Sequence, residues 1–230
     1  DIKDFAEKSF FTRGLEIGAG TGQATDLFIK VINDLDIVEV GDKQVDYLME
    51  KYKSENVNTY KAYFEDFKSN KKYDLIFSAT AFHWVDATVG YPKVWDMLND
   101  SGVLAVFWHM SSVTLHDTGI FVGLNEIKKK YLPEESLGFD KEGIEGVRQK
   151  RISQIQSGNY FGIPVIKEYR WIDTYDADRY SLLLESYSST QTLDEEHKKL
   201  YLSEVRDYIN SNGGVVEMPQ HVMLYLVKKE

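Results

Sequence analysis

The sequence contains no cysteine. That removes disulfides, thiolate metal sites and every mechanism with a cysteine nucleophile, and it fits a reducing compartment. No apolar run approaches the ~20 residues needed to span a bilayer, and no basic-then-apolar leader pattern opens the chain. A cytoplasmic protein without membrane attachment is therefore expected. Basic charge is also short: 27 Lys and Arg face 37 Asp and Glu, for a net charge of −10. A nucleic-acid backbone calls for a basic footprint, so no nucleic-acid partner is expected and a small molecule is. The five histidines (His83, His109, His116, His197 and His221) are scattered without ligand spacing, and no resident metal is expected. There are four prolines, no Pro- or Ser-rich linker and no internal repeat. The 230 residues are long enough for one large core, and a single domain over residues 1–230 is expected.

The first half alternates strand and helix signals. Gly14 to Ile17 is a short apolar strand running into a glycine-rich turn, and Ala24 to Ile32 reads as a helix. Asp36 to Val40 reads as a second strand. Val45, Leu48, Met49 and Tyr52 recur at helical spacing. Tyr73 to Phe77 is a strand. Pro92 suits a first helical turn, and Ser101-Gly102 stops that helix. Val103 to Trp108 is a near-continuous apolar run, which suits a strand buried on both faces of a parallel sheet. This alternation predicts an α/β fold, a doubly wound and mostly parallel sheet, with its core in about residues 1–109. Beyond it, Val165 to Thr174 and His221 to Lys228 read as strands. Ala177 to Ser186 and Glu195 to Asn210 read as helices, the second closed by Asn212-Gly213-Gly214. Helical insertions over about 110–163 and 176–211 are expected to form a cap. The lysines Lys128 to Lys130 read as a solvated helix face, and the many tyrosines between Tyr160 and Tyr208 mostly as amphipathic packing.

The chemistry concentrates in Leu15-Glu16-Ile17-Gly18-Ala19-Gly20-Thr21-Gly22-Gln23, between the first strand and first helix. Glycine lets the backbone take positive φ and approach a ligand. The dinucleotide pattern is G-x-G-x-x-G, with pyrophosphate on the helix N-terminus. Here the third glycine comes one residue early, at Gly22, and Gln23 stands in the dinucleotide position. Glu16 precedes the turn; its carboxylate would repel a pyrophosphate and attract an ammonium group. An acid about 20 residues on is the usual ribose ligand, and Glu39 lies 21 residues after Gly18.

Gly-x-Gly-x-Gly preceded by an acid resembles motif I of the class I S-adenosylmethionine-dependent methyltransferases. Three further segments are similar to that family in order and spacing: Ile37-Val38-Glu39-Val40-Gly41, Phe64-Glu65-Asp66-Phe67, and Tyr73 through Trp84 with its Ser78-Ala79 and His83-Trp84 pairs. The likeness covers about residues 14–108. It departs at Tyr63, where many relatives carry Asp. The tail, with Leu182 to Ser189, Gly213-Gly214 and Leu224-Tyr225-Leu226, resembles a bacterial branch related to trans-aconitate methyltransferase. The resemblance implies S-adenosylmethionine as cofactor, S-adenosylhomocysteine as product, and in-line methyl transfer to a small molecule. It implies a cofactor site made of Glu16, Gly18, Ala19, Gly20, Gly22, Gln23, Glu39, Val40, Phe64, Glu65, Ser78 and Ala79. The missing cysteine excludes covalent cytosine methylation, and no Asn-Pro-Pro-Tyr-like segment follows the fourth strand.

His83 is the one candidate catalytic side chain. Histidine is the commonest acid–base residue near neutral pH, and open α/β sheets place ligands at the carboxyl ends of strands. The competing role is a histidine that hydrogen-bonds nearby and sets the turn, and this second role is favoured. Two alternatives to an active methyltransferase stay open: a catalytically silent S-adenosylmethionine-binding module, and an NAD(P)-dependent oxidoreductase on a similar sheet. Gln23 and Glu16 count against the second.

Overall fold

The computed structural model describes residues 1–109, 119–133 and 143–229. Its elements run α1 (Ile2–Ala6), β1 (Phe11–Ile17), α2 (Thr25–Phe28), β2 (Ile32–Glu39), α3 (Asp42–Lys51), β3 (Val57–Lys61), β4 (Tyr73–Ala79), α4 (Ala87–Met97) and β5 (Leu98–His109). These are followed by α5 (Ile120–Tyr131), α6 (Gly143–Gln156), β6 (Val165–Asp176), α7 (Ala177–Glu185), α8 (Ser188–Gln191), α9 (Glu195–Ser211) and β7 (Val215–Lys228). The strands form one seven-stranded sheet in the order β3-β2-β1-β4-β5-β7-β6. The pairs β1–β2, β2–β3, β1–β4 and β4–β5 are parallel. The chain therefore winds outward through β2 and β3, then returns to lay β4 on the other side of β1. That reversal opens a crevice at the carboxyl ends of β1 and β4, the place where doubly wound sheets take ligands.

The described residues divide into two compact units. The first holds residues 1–109, 148–168 and 223–229. Its sheet centre is apolar on both faces, as a parallel sheet covered by helices demands: Leu75, Ile76 and Phe77 of β4 and Val103 to Val106 of β5 are fully buried. Phe28 of α2 stacks on Phe77 with ring centroids 3.9 Å apart. Asp36 of β2 and Asp74 at the start of β4 are paired internally. Asp36 accepts from the Tyr73 hydroxyl (2.7 Å), Lys71 (2.9 Å) and Asn58 (2.9 Å). Asp74 accepts from the Thr12 amide (2.8 Å) and Lys8 (3.1 Å). The second unit takes the described residues of 110–147 and 169–222. Its core is helical: Leu124 and Ile127 of α5, Tyr180 and Leu184 of α7, and Tyr201, Val205 and Ile209 of α9. Gly213 and Gly214, both at positive φ, end α9, and the Gly214 amide returns to the Ile209 carbonyl. No helix among the described residues is long and apolar enough to cross a membrane.

The structure departs from the sequence expectations in three places. The helix expected over Ala24 to Ile32 is only α2, because the chain is already strand at Ile32, which pairs with Phe11. Pro92 lies inside α4 rather than in its first turn, because Asp86 caps the helix earlier by accepting from the Thr88 amide at 2.8 Å. Ser101-Gly102 does not stop that helix: α4 ends at Met97, and the pair sits within β5, where register slips against β4 and Ser101 takes φ 60°. In α5, Lys129 pairs with Glu126 and Lys130 with Glu204, whereas Lys128 is partly buried, which lowers its pKa. His116 lies outside the described residues.

Candidate functional site

A cavity of about 730 Å³ occupies the crevice. Its floor is the turn that leaves β1. Gly18, Gly20 and Gly22 all have positive φ, at 71°, 58° and 81°. A Cβ on Gly18 would stand 2.5 Å from the Ala81 Cβ, and one on Gly22 would overlap the Tyr52 hydroxyl. Gly20 has nothing within 4 Å on its open side, so the backbone there faces the cavity bare.

Glu39, the last residue of β2, holds this turn. Its Oε2 accepts from the Gly20 amide at 2.8 Å, and its Oε1 accepts from the Val40 and Gly41 amides at 2.8 and 2.9 Å. A carboxylate has about four acceptor sites, so capacity is left for hydroxyl groups in the cavity that Glu39 lines. The opposite wall comes from Ala62, Tyr63, Phe64 and Glu65 after β3 and from Ala79, Thr80 and Ala81 after β4. Phe64 is buried against Phe82, with centroids 6.3 Å apart. Glu65 Oε1 accepts from the Asp86 amide at 2.9 Å, tying the two wall segments together. Thr80 takes φ 54°, an uncommon conformation for a β-branched residue that tends to cluster at functional sites. Trp84 stands at the cavity 83% exposed.

Of the residues expected from the sequence, Gly18, Ala19, Gly20, Gln23, Glu39, Val40, Phe64, Glu65 and Ala79 line this cavity. Glu16, Gly22 and Ser78 stand behind its lining. Ser78 is fully buried, and its hydroxyl donates to the Ile17 carbonyl at 2.7 Å, joining β4 to the end of β1. Glu16 is fully buried and accepts from the Thr25 hydroxyl at 2.6 Å, while its Oε1 has no partner among the described residues. Burial pushes its pKa up to about 7, with Glu39 and Asp26 adding to the rise and the Thr25 bond opposing it.

His83 is not among the lining residues. The Trp108 indole donates to its Nδ1 at 3.1 Å. Indole nitrogen is donor only, so Nδ1 is the bare nitrogen and the neutral ring carries its proton on Nε2. Burial, then the charge of Arg151, holds its pKa below the ordinary value. The ring is thus neutral with its basic nitrogen already engaged, the arrangement of a turn-setting histidine. Sequence reasoning did not single out Thr21, Tyr63, Thr80 or Ala81 as lining residues. For Thr80 and Ala81 the signal was present, since they follow β4 at its carboxyl end; nothing in the sequence marked Tyr63 beyond its departure from the pattern.

The described lining residues include two carboxylates, Glu39 and Glu65, and no Lys, Arg or His. Such a wall is hostile to a pyrophosphate and favourable to a cation carrying hydroxyls and a flat apolar ring. No cluster of three or more His, Cys, Asp or Glu that could hold a metal occurs among the described residues.

The fold is Rossmann-like, as in solved methyltransferase structures. Residues 15–106 match the methyltransferase domain family. The chain is 30% identical over 95 residues to malonyl-[acyl-carrier protein] O-methyltransferase 1 of Ilyobacter polytropus. That alignment covers 40% of this chain and 35% of the relative, so the chain spans about a third of the relative's length. Solved structures share the fold over nearly the whole chain at low identity. A candidate type II methyltransferase from Anaeromyxobacter dehalogenans is 13% identical with a TM-score of 0.63, covering 100% of this chain and 94% of that one. The N-methyltransferase NodS from Bradyrhizobium japonicum is 11% identical with a TM-score of 0.52, covering 99% and 92%.

Proposed function

We propose that this chain is a cytoplasmic methyltransferase that uses S-adenosylmethionine to methylate a small molecule. The observation that carries the proposal is the cavity wall: a bare glycine turn and two carboxylates, with no basic side chain among the described lining residues. When bound, the cofactor would supply an electrophilic methyl on a sulfonium, with S-adenosylhomocysteine as its product. The protein's share is position and electrostatics. Glu39 would accept from the ribose hydroxyls, Phe64 and its neighbours would flank the adenine, and the open backbone at Gly20 would admit the amino-acid tail. Gly18, Ala19, Gln23, Val40, Glu65 and Ala79 would complete the contact. Glu16, Gly22 and Ser78 would act from behind, through the turn they support.

The acceptor is proposed to be a small carboxylic acid. The tail's resemblance to the trans-aconitate branch favours this class, and the Ilyobacter relative, named for O-methylation of malonyl-[acyl-carrier protein], agrees with a carboxyl acceptor. A carboxylate needs little help from a base, which agrees with His83 being engaged elsewhere. The cofactor-binding core is proposed to lie within about residues 1–109, with the helical segments of 110–163 and 176–211 serving acceptor recognition.

Titration calorimetry with S-adenosylmethionine, S-adenosylhomocysteine and NADH tests the proposal. Heat from the first two with NADH silent is the expected result, and binding of NADH alone would overturn it. Product formation from a panel of small acids, followed by mass, separates an enzyme from a silent binding module.

A further inference from the structure

The back of the glycine turn is held by a second cluster, outside the cavity. Lys51, the last residue of α3, donates to the Thr21 carbonyl at 3.2 Å and to Asp26 Oδ2 at 2.8 Å. The Tyr52 hydroxyl lies 2.9 Å from the Gly22 carbonyl and 2.7 Å from Asp26 Oδ1. The Asp26 amide also donates to the Gly22 carbonyl, at 3.0 Å. Lys51 at the end of α3 therefore holds the Thr21 carbonyl, and Tyr52 just beyond it has one hydroxyl proton to give to the Gly22 carbonyl or to Asp26, which also takes the Lys51 bond. Tyr52 is almost fully buried, and its hydroxyl fills the space a Cβ at position 22 would need.

We infer that Lys51, Tyr52 and Asp26 form a positioning clamp that presets the glycine turn for the cofactor. A peptide unit is planar, so fixing the Thr21 and Gly22 carbonyls outward also fixes the planes of the peptides they belong to. Glu39 fixes the Gly20 amide from the other side. The chain's own groups at the ends of α3 and β2 thus hold the turn, which spares ordering cost at binding. A stabilising ion pair alone would not account for the cluster: Asp26 is half exposed, and exposed pairs add little to stability.

The clamp rests on the proposed cofactor, so the wild type is titrated first with S-adenosylhomocysteine. Lys51→Met and Tyr52→Phe are then compared with it, and Lys51→Arg serves as the conservative control. The expected result is a Kd weakened about tenfold for Lys51→Met and at least threefold for Tyr52→Phe, with Lys51→Arg close to wild type. Amide hydrogen exchange should quicken in residues 18–26 and stay unchanged in β4 and β5. A wild type that binds while both variants bind equally well, with the turn still protected, overturns the clamp and leaves the functional proposal standing. Exchange that quickens throughout the first unit would show a general fold contact and overturns it too. A wild type that binds no S-adenosylhomocysteine overturns the functional proposal and the clamp with it.

Discussion

Replacing Glu16 by glutamine should make the protein more stable at pH 8 and change little at pH 4.5. Glu16 is fully buried, one of its oxygens is bonded only to Thr25, and burial lifts its pKa from 4.5 to about 7. A raised acid pKa means that the folded chain prefers the protonated form. Its contribution is complete below pH 4.5, declines as pH rises, and is gone above pH 7. The shift of roughly 2.5 units, at about 1.4 kcal/mol each, corresponds to ~3 kcal/mol of stability lost over that window. Glutamine is neutral throughout and retains an oxygen for the Thr25 hydroxyl. Urea unfolding at pH 4.5, 6, 7 and 8 measures the difference between variant and parent, in which the other titrating groups cancel. The difference should climb by ~3 kcal/mol between the extremes, most of it before pH 7. A difference flat to within about 1 kcal/mol would mean that Glu16 is ionised without penalty.

Three further outcomes follow from the site. Glu39→Ala should weaken S-adenosylhomocysteine binding at least tenfold while the circular dichroism spectrum stays native; an unchanged Kd would remove the ribose assignment. His83→Ala, corrected for stability, should lower turnover less than tenfold, because its basic nitrogen is committed to Trp108; a fall of ~10²-fold with normal binding would instead mark it as an acid–base group. Ser78→Ala should cost roughly 1 kcal/mol of stability by deleting a buried hydrogen bond, seen as a lower urea midpoint, with Kd unchanged within twofold; a Kd loss without a stability loss would place Ser78 in direct contact with the ligand.

The sheet was legible because its signals are local. Apolar runs such as Val103 to Val106 mark doubly covered strands, and a glycine turn between strand and helix marks the ligand end. What escaped was decided at a distance. α2 is short because Ile32 is claimed by Phe11 across the sheet, and helical periodicity carries no trace of that. β3 has a burial pattern typical of an edge strand, with no run to announce it. Glu39 and Glu16 were both visible as acids near a turn, yet one reaches the cavity and the other lies beneath it. Separating them needs the side-chain direction at each strand end. The grip of Lys51 and Tyr52 was invisible for a related reason: spacing showed Tyr52 as a helix position packed inward, while the carbonyls it meets lie 30 residues earlier.

Glu39 accepts from the amides of Gly20, Val40 and Gly41. The residue that the cofactor would use is therefore also a joint of the scaffold. A descendant that had given up methyl transfer would still be selected to keep this acid, because losing it would release the turn and leave three amides without their acceptor. In such a lineage the signature would outlast the activity. Decay of function would show first in residues with little structural employment, such as the exposed indole of Trp84.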